Sequence, residues 1–200
     1  MSKVPAAPHL LVLTGPKQGS ELPLDRDELM IGRTGHHNLI PTEILSLSRQ
    51  HARLHRQLAL FWLEDLDSEN GTYFNPSGAE EMRLEPNTPS LLLEGSQIRL
   101  GPFVRLKVCN IQTSSNKSME TLLLGLHDVI GELYINLPKL NEFERGFHLK
   151  SLRLFEKDLQ GAKDPAELAH LIEAGIQSMV NHLFNTIDPR VMAEPGKDQG

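Results

Sequence analysis

Two hydrophobic rhythms divide the chain. From His9 to about Asn110, apolar residues come in short runs: His9–Thr14, Glu21–Leu24, Leu29–Gly32, His51–Arg56, Leu60–Leu66, Thr72–Phe74, Ser96–Leu100 and Phe103–Asn110. Most are strand-sized. Between them stand Gly15-Pro16-Lys17-Gln18-Gly19, Ser68-Glu69-Asn70-Gly71 and Asn75-Pro76-Ser77-Gly78, which are rich in residues that favour turns or tolerate positive φ. This pattern predicts an all-β sandwich of antiparallel strands over residues 1–111.

After a polar stretch at 112–118, read as a linker, the spacing changes. Apolar residues at 119, 122, 123, 126, 130, 133 and 137 recur in steps of three and four, widened by Leu124, Val129 and Tyr134, which predicts a helix over about 119–137. A second helix is expected over about Asn141–Gln160, with Phe143, Phe147, Leu152, Phe155 and Leu159 on one face. Gly146 weakens its start. A third should run from Pro165 to about Ile187, entered through Asp164 as N-cap with Glu167 completing a capping box. Its apolar set includes Leu168, Ile172, Ile176, Met179, Leu183 and Phe184, and is too wide to stay in water. The predicted architecture is a sandwich followed by a smaller α-helical region at 119–188 and a flexible tail at 189–200. The helices could pack on the sandwich, form a homodimer or recruit a second protein partner.

Charge removes some functions from consideration. Lys and Arg number 20 against 26 Asp and Glu, giving −6, and neither half is basic, so nucleic acid is not an expected partner. Cys109 is the only cysteine. No intramolecular disulfide can form, which fits a reducing compartment. No apolar run approaches the roughly 18 residues needed to span a membrane, so a cytoplasmic location is expected. Residues 15–20 lack a P-loop Gly-Lys-Ser/Thr, no Gly-x-Ser-x-Gly elbow occurs and no carboxylates pair, so no enzymatic activity and no cofactor are expected. His51 and His55 lack a third ligand at metal-site spacing, so no metal is expected either.

The distinctive residues are Gly32-Arg33, then Ser48-Arg49-Gln50-His51-Ala52, then Asp65-Leu66-Asp67-Ser68-Glu69-Asn70-Gly71-Thr72, with Asn75 close behind. Together with the Leu-Thr-Gly-Pro opening and Glu94-Gly95-Ser96-Gln97-Ile98-Arg99-Leu100-Gly101, this order resembles the forkhead-associated (FHA) domain family over roughly the first 110 residues. The resemblance implies a phosphothreonine-binding sandwich, that is, a non-enzymatic signalling adaptor for a protein phosphorylated by a Ser/Thr kinase. Such a ligand carries about −1.5 to −2 charge and three acceptor oxygens. Arg33 supplies a permanent cation in a planar fork, and Gly32 lets the backbone pass closely. Ser48 adds a hydroxyl donor, and Arg49 adds its charge or its N–H. Asn70, donor and acceptor at once, can hold the peptide backbone.

The resemblance gives His51 a role supporting the Ser48 loop, while Gly71, Thr72 and Asn75 shape the site. The Asn75–Gly78 turn, including Ser77, is a candidate selecting loop. Arg49 could instead pair with Asp65, Asp67 or Glu69. One departure lies after Arg33, where family members often have Asn-Asp-Ile and this chain has His36-His37-Asn38-Leu39-Ile40. That difference keeps a rival open: a phosphate-independent scaffold or assembly subunit that binds proteins through sandwich and helices.

Overall fold

The computed structural model describes residues 7–15, 17–34, 46–76, 79–111 and 117–186, with the side chains of 182–186 left out. The His36–Ile40 departure, Ser77 and Gly78, the stretch 112–116 and the tail lie outside the described residues.

Among the described residues, ten strands form two antiparallel sheets. They are β1 (His9–Thr14), β2 (Glu21–Pro23), β3 (Glu28–Ile31), β4 (Ala52–Gln57), β5 (Leu60–Asp65), β6 (Thr72–Asn75), β7 (Met82–Arg83), β8 (Ser90–Leu91), β9 (Gln97–Leu100) and β10 (Val104–Cys109). The six-stranded sheet runs β2-β1-β10-β9-β6-β7, and the four-stranded sheet runs β3-β4-β5-β8. Inward residues of both meet in one apolar cluster that includes Leu10, Ile31, Leu54, Leu63, Phe74, Ile98 and Leu106. Alternation accounts for it: on β10, Val104, Leu106 and Val108 are buried while Lys107 is exposed.

The helices cover the outer face of the four-stranded sheet. α1 (Lys117–Asn136) ends in a short 3-10 turn (Leu137–Lys139) and is followed by α2 (Glu142–Gly161) and α3 (Pro165–Thr186). Leu60, Trp62, Leu91 and Leu93 of the sandwich join Leu126, Ile130, Leu133, Leu152, Leu168 and Ile172 of the helices in a second cluster. This is why β5 is buried at every position rather than alternately. α2 is fastened by polar bonds: Leu91 N–H donates to Glu156 Oε1 (2.9 Å), Arg153 to Ser90 Oγ (2.8 Å), and Gln57 to the Gln160 carbonyl (2.6 Å).

Several helix expectations need correction. Asn141 and Glu144 form a full capping box, so α2 begins firmly despite Gly146. Its buried stripe is His148, Leu152, Glu156 and Leu159, and Phe143 and Phe147 instead face solvent (84% and 48% exposed). Leu124 is likewise exposed on α1. At α3, Asp164 caps as expected, accepting from the N–H groups of Ala166 and Glu167 (both 2.9 Å). The Glu167 carboxylate, however, accepts from Lys163 N–H, one residue upstream of a capping box.

Candidate functional site

Antiparallel pairing brings the 32–51 connection, the β5–β6 turn and the β9–β10 turn to one end of the sandwich. At that end Arg33 N–H donates to the Ser48 carbonyl (3.1 Å), and Thr34 donates to the Arg49 carbonyl through both N–H (3.1 Å) and Oγ1 (3.0 Å). The two arms of the 32–51 connection are thus zipped together. Gly32 is required here: a Cβ would stand 2.9 Å from the Ser48 carbonyl oxygen and collide with that of Arg49. Any other residue would push the arms apart.

His51 ties this connection to the β5–β6 turn. Its Nδ1 accepts from Ser48 N–H (3.2 Å) and its Nε2 meets the Gly71 carbonyl oxygen (3.2 Å), an arrangement that requires the neutral ring with its proton on Nε2. Burial holds its pKa below the ordinary value, although the Gly71 carbonyl and Asp65 pull the other way. The imidazole is therefore a strut at neutral pH. Gly71 takes a positive φ (+73°) to close the turn and receives Gly101 N–H on its carbonyl (3.0 Å).

Under the turn lies Asp65, the first residue of the distinctive run, 1% exposed and turned to the loop that follows it rather than to Arg49. One oxygen accepts from Ser68 Oγ and Thr72 Oγ1 (2.6 Å each), and the other from Ser68 N–H (3.0 Å). Three donors on one buried carboxylate fix the loop that presents Glu69 and Asn70. The signal was Asp-x-x-Ser-x-x-x-Thr, a spacing that lets a strand-end carboxylate reach both hydroxyls.

The groups expected to meet a ligand gather on this frame. Ser48 Oγ accepts from Glu69 N–H (3.1 Å), which leaves its own proton free to donate outward. Asn70 Nδ2 donates to the Ser46 carbonyl (2.9 Å), so its Oδ1 and remaining N–H stay available on an exposed residue. Arg33 is half-buried, and its Nε is buried without a hydrogen-bond partner among the described residues. Arg49 is exposed and forms no ion pair with Asp65, Asp67 or Glu69. Thr34, overlooked in the sequence, is the clamp between the arms.

Asn75 stands at the far end of β6 from Thr72, paired with Gln97. The selecting loop expected at Asn75–Gly78 includes Ser77 and Gly78, which lie outside the described residues. Beside Asn70 stands Gly101 of the β9–β10 turn, where a Cβ would lie 3.4 Å from Asn70 Cβ, and Phe103 of the same turn is 62% exposed.

Among the described residues no helix is long and apolar enough to cross a membrane. The FHA domain model matches residues 29–101. The chain is 32% identical over 94 residues to an oxoglutarate dehydrogenase inhibitor of Corynebacterium diphtheriae, covering 47% of this chain and 59% of that protein. It is 30% identical over 94 residues to the glycogen accumulation regulator GarA of Mycolicibacterium smegmatis, covering 47% and 54%. The chain thus spans little more than half the length of these curated relatives. An FHA domain of an Arabidopsis thaliana hypothetical protein aligns with a TM-score of 0.45 at 24% identity, covering 58% of this chain and 99% of that one. Matched by the family model from β3 through β9, with both zipped arms and the β5–β6 turn, residues 29–101 of this chain form an FHA domain.

Proposed function

We propose that the sandwich end is a phosphothreonine receptor and that the chain acts as a non-enzymatic adaptor, docking on a protein phosphorylated by a Ser/Thr kinase. Arg33, Ser48 and Arg49 take the phosphate, and Asn70 holds the peptide backbone. The observation that carries this reading is the Ser48 hydroxyl: its oxygen accepts from Glu69 N–H and its loop is held by His51, which leaves its proton for a ligand. A fixed donor beside two arginines suits an anion with several acceptor oxygens. The family match supports the same ligand, and the regulatory names of the relatives support a role in control rather than catalysis. A cytoplasmic setting follows from the kinase partner.

A second reading, a phosphate-independent scaffold, draws on the exposed Phe143, Phe147 and Leu154 of α2 beside a cavity of about 330 Å³. Calorimetric titration with matched phosphothreonine, phosphoserine and unmodified peptide libraries separates the two. Binding confined to phosphothreonine and lost in Arg33→Ala and Ser48→Ala is expected. Equal binding by all three classes, indifferent to both substitutions, would establish the scaffold instead.

A further inference from the structure

On the outer face of the six-stranded sheet, cross-strand register sets Arg105 of β10 opposite Arg99 of β9, Arg99 opposite Tyr73 of β6, and Tyr73 opposite Arg83 of β7. The sequence neighbours Val104, Leu106, Leu100, Ile98, Thr72 and Phe74 are buried, so these four side chains form one row on the solvent side. Like charges directly opposite one another weaken a sheet. Glu81 offsets part of the repulsion: Oε1 accepts from Arg99 Nε (2.9 Å) and Nη2 (2.6 Å), and Oε2 from Arg105 Nη1 (3.1 Å). The Arg99 guanidinium also lies 3.7 Å over the Tyr73 ring. One carboxylate against three guanidiniums leaves a cationic excess on this face.

Arg83 holds that excess. It is exposed and has no ion-pair or hydrogen-bond partner among the described residues. Its guanidinium rests against Gly71, where a Cβ would meet Nε at 2.7 Å and Cζ and Nη2 at 3.2 Å. Gly71 immediately follows Asn70, so the row begins beside the residue assigned to the ligand backbone. At the middle of the row Arg99 Nη1 donates to the Gly101 carbonyl (2.7 Å), next to the β9–β10 turn. Strands lie about 4.8 Å apart, so four of them span roughly 14 Å, the length of about four extended residues.

We propose that this row reads acidic residues flanking the phosphothreonine of the docked partner, with Arg83 as the specificity-determining residue; the proposal rests on the phosphothreonine reading of the sandwich end. An acidic peptide suits it better than nucleic acid, because Arg99 already covers the row's one aromatic ring, on which a base would have to stack.

The test uses the full chain and phosphothreonine peptides whose four residues on one side or the other are all Glu, all Gln or all Lys. The expected result is that one Glu-flanked peptide binds about five- to tenfold more tightly than its Gln counterpart at low salt, the ratio shrinking as salt screens it. In Arg83→Gln that ratio should fall below about twofold, and Arg83→Glu should bring the Lys-flanked peptide above the Glu-flanked one. Phosphothreonine-dependent binding with equal affinity for Glu and Gln flanks overturns the row's role and leaves the receptor standing. Absence of binding to every phosphopeptide overturns both. Unphosphorylated Glu-flanked peptide or single-stranded DNA binding as tightly as the phosphopeptide makes the row a general polyanion surface and also overturns the proposal.

Discussion

Between the two sheets lies a cluster of Leu, Ile, Val, Ala and Phe, with buried His51, Asp65 and Thr72 gathered at its ligand end, whereas the cluster between the four-stranded sheet and the helices borders on buried His127, His148 and Glu156. The first closes a sandwich whose strands are already aligned by backbone pairing, so shape and apolarity suffice. The second joins three helices to a sheet with no shared backbone ladder. Polar hooks supply the register: Glu156 caps the Leu91 N–H at the edge strand β8, and His127 Nδ1 accepts from Glu94 N–H (3.3 Å). A buried hook holds position only while its charge and partners are right, so this interface should answer to polar substitutions and pH in ways the inner core does not.

The largest expected effect comes from Trp62→Ala, which empties the largest fully buried side chain of the sheet–helix cluster and should cost about 3–5 kcal/mol. Denaturant titration followed by far-UV circular dichroism and by phosphopeptide binding should show helical signal lost before the ligand site. A single coincident transition for both would mean that the two clusters form one cooperative unit.

Acid should act next most strongly. Burial lowers the pKa of His127 from 6.5 to about 4 and also lowers that of His51. The native protein therefore binds fewer protons than the unfolded chain in this window, and stability falls as pH drops below about 6.5. For His127 the full interval corresponds to about 3 kcal/mol. Glu156 works in the opposite direction: burial raises its pKa, so protonation on acidification relieves part of its cost. Thermal melts from pH 7.5 to 4.5 should slope downward overall, and His127→Gln should flatten the slope. A flat wild-type profile would remove His127 from the account.

At the ligand end the comparison sharpens differently. Arg33→Ala should weaken phosphopeptide binding by about 10- to 100-fold, as expected for a charged hydrogen bond, while shifting stability by only about 0.5 kcal/mol. Titration and thermal melts on the same sample check both halves. The smallest effect is expected for Glu156→Gln, which keeps an acceptor for Leu91 N–H and should change stability by about 1 kcal/mol or less in thermal melts. Glu156→Leu, which strands that N–H and leaves Arg153 only its bond to Ser90, should cost more.

Alternating burial made the inter-sheet core legible, and the eight longer strands fall where the apolar runs lie. β7 and β8, two residues each, have too few positions for any period, and pairing alone defines them. The helix faces misled at α2 because hydropathy assigns His148 and Glu156 outward and Phe143 and Phe147 inward, the reverse of what the Leu91 and Ser90 hooks impose. Contiguous Leu60-Phe61-Trp62-Leu63 was the available sign of a strand covered on both faces. At the site, the family resemblance was what singled out Arg33, Ser48, Arg49 and Asn70, with glycine and turn residues marking the loops that carry them. The role of Asp65 was not legible because a strand-end carboxylate looks solvated until its three donors are placed, and the place of Asn75 follows only from the direction of β6.

The most direct test of the receptor claim is an amide NMR titration of the full chain with a phosphothreonine peptide and its unphosphorylated twin. The account predicts that the phosphopeptide alone shifts the amides of Gly32, Arg33, Ser48, Arg49, Glu69, Asn70 and Gly71, while α2 and α3 stay still. Equal shifts from both peptides, or shifts centred on Phe143, Phe147 and Leu154, would contradict it.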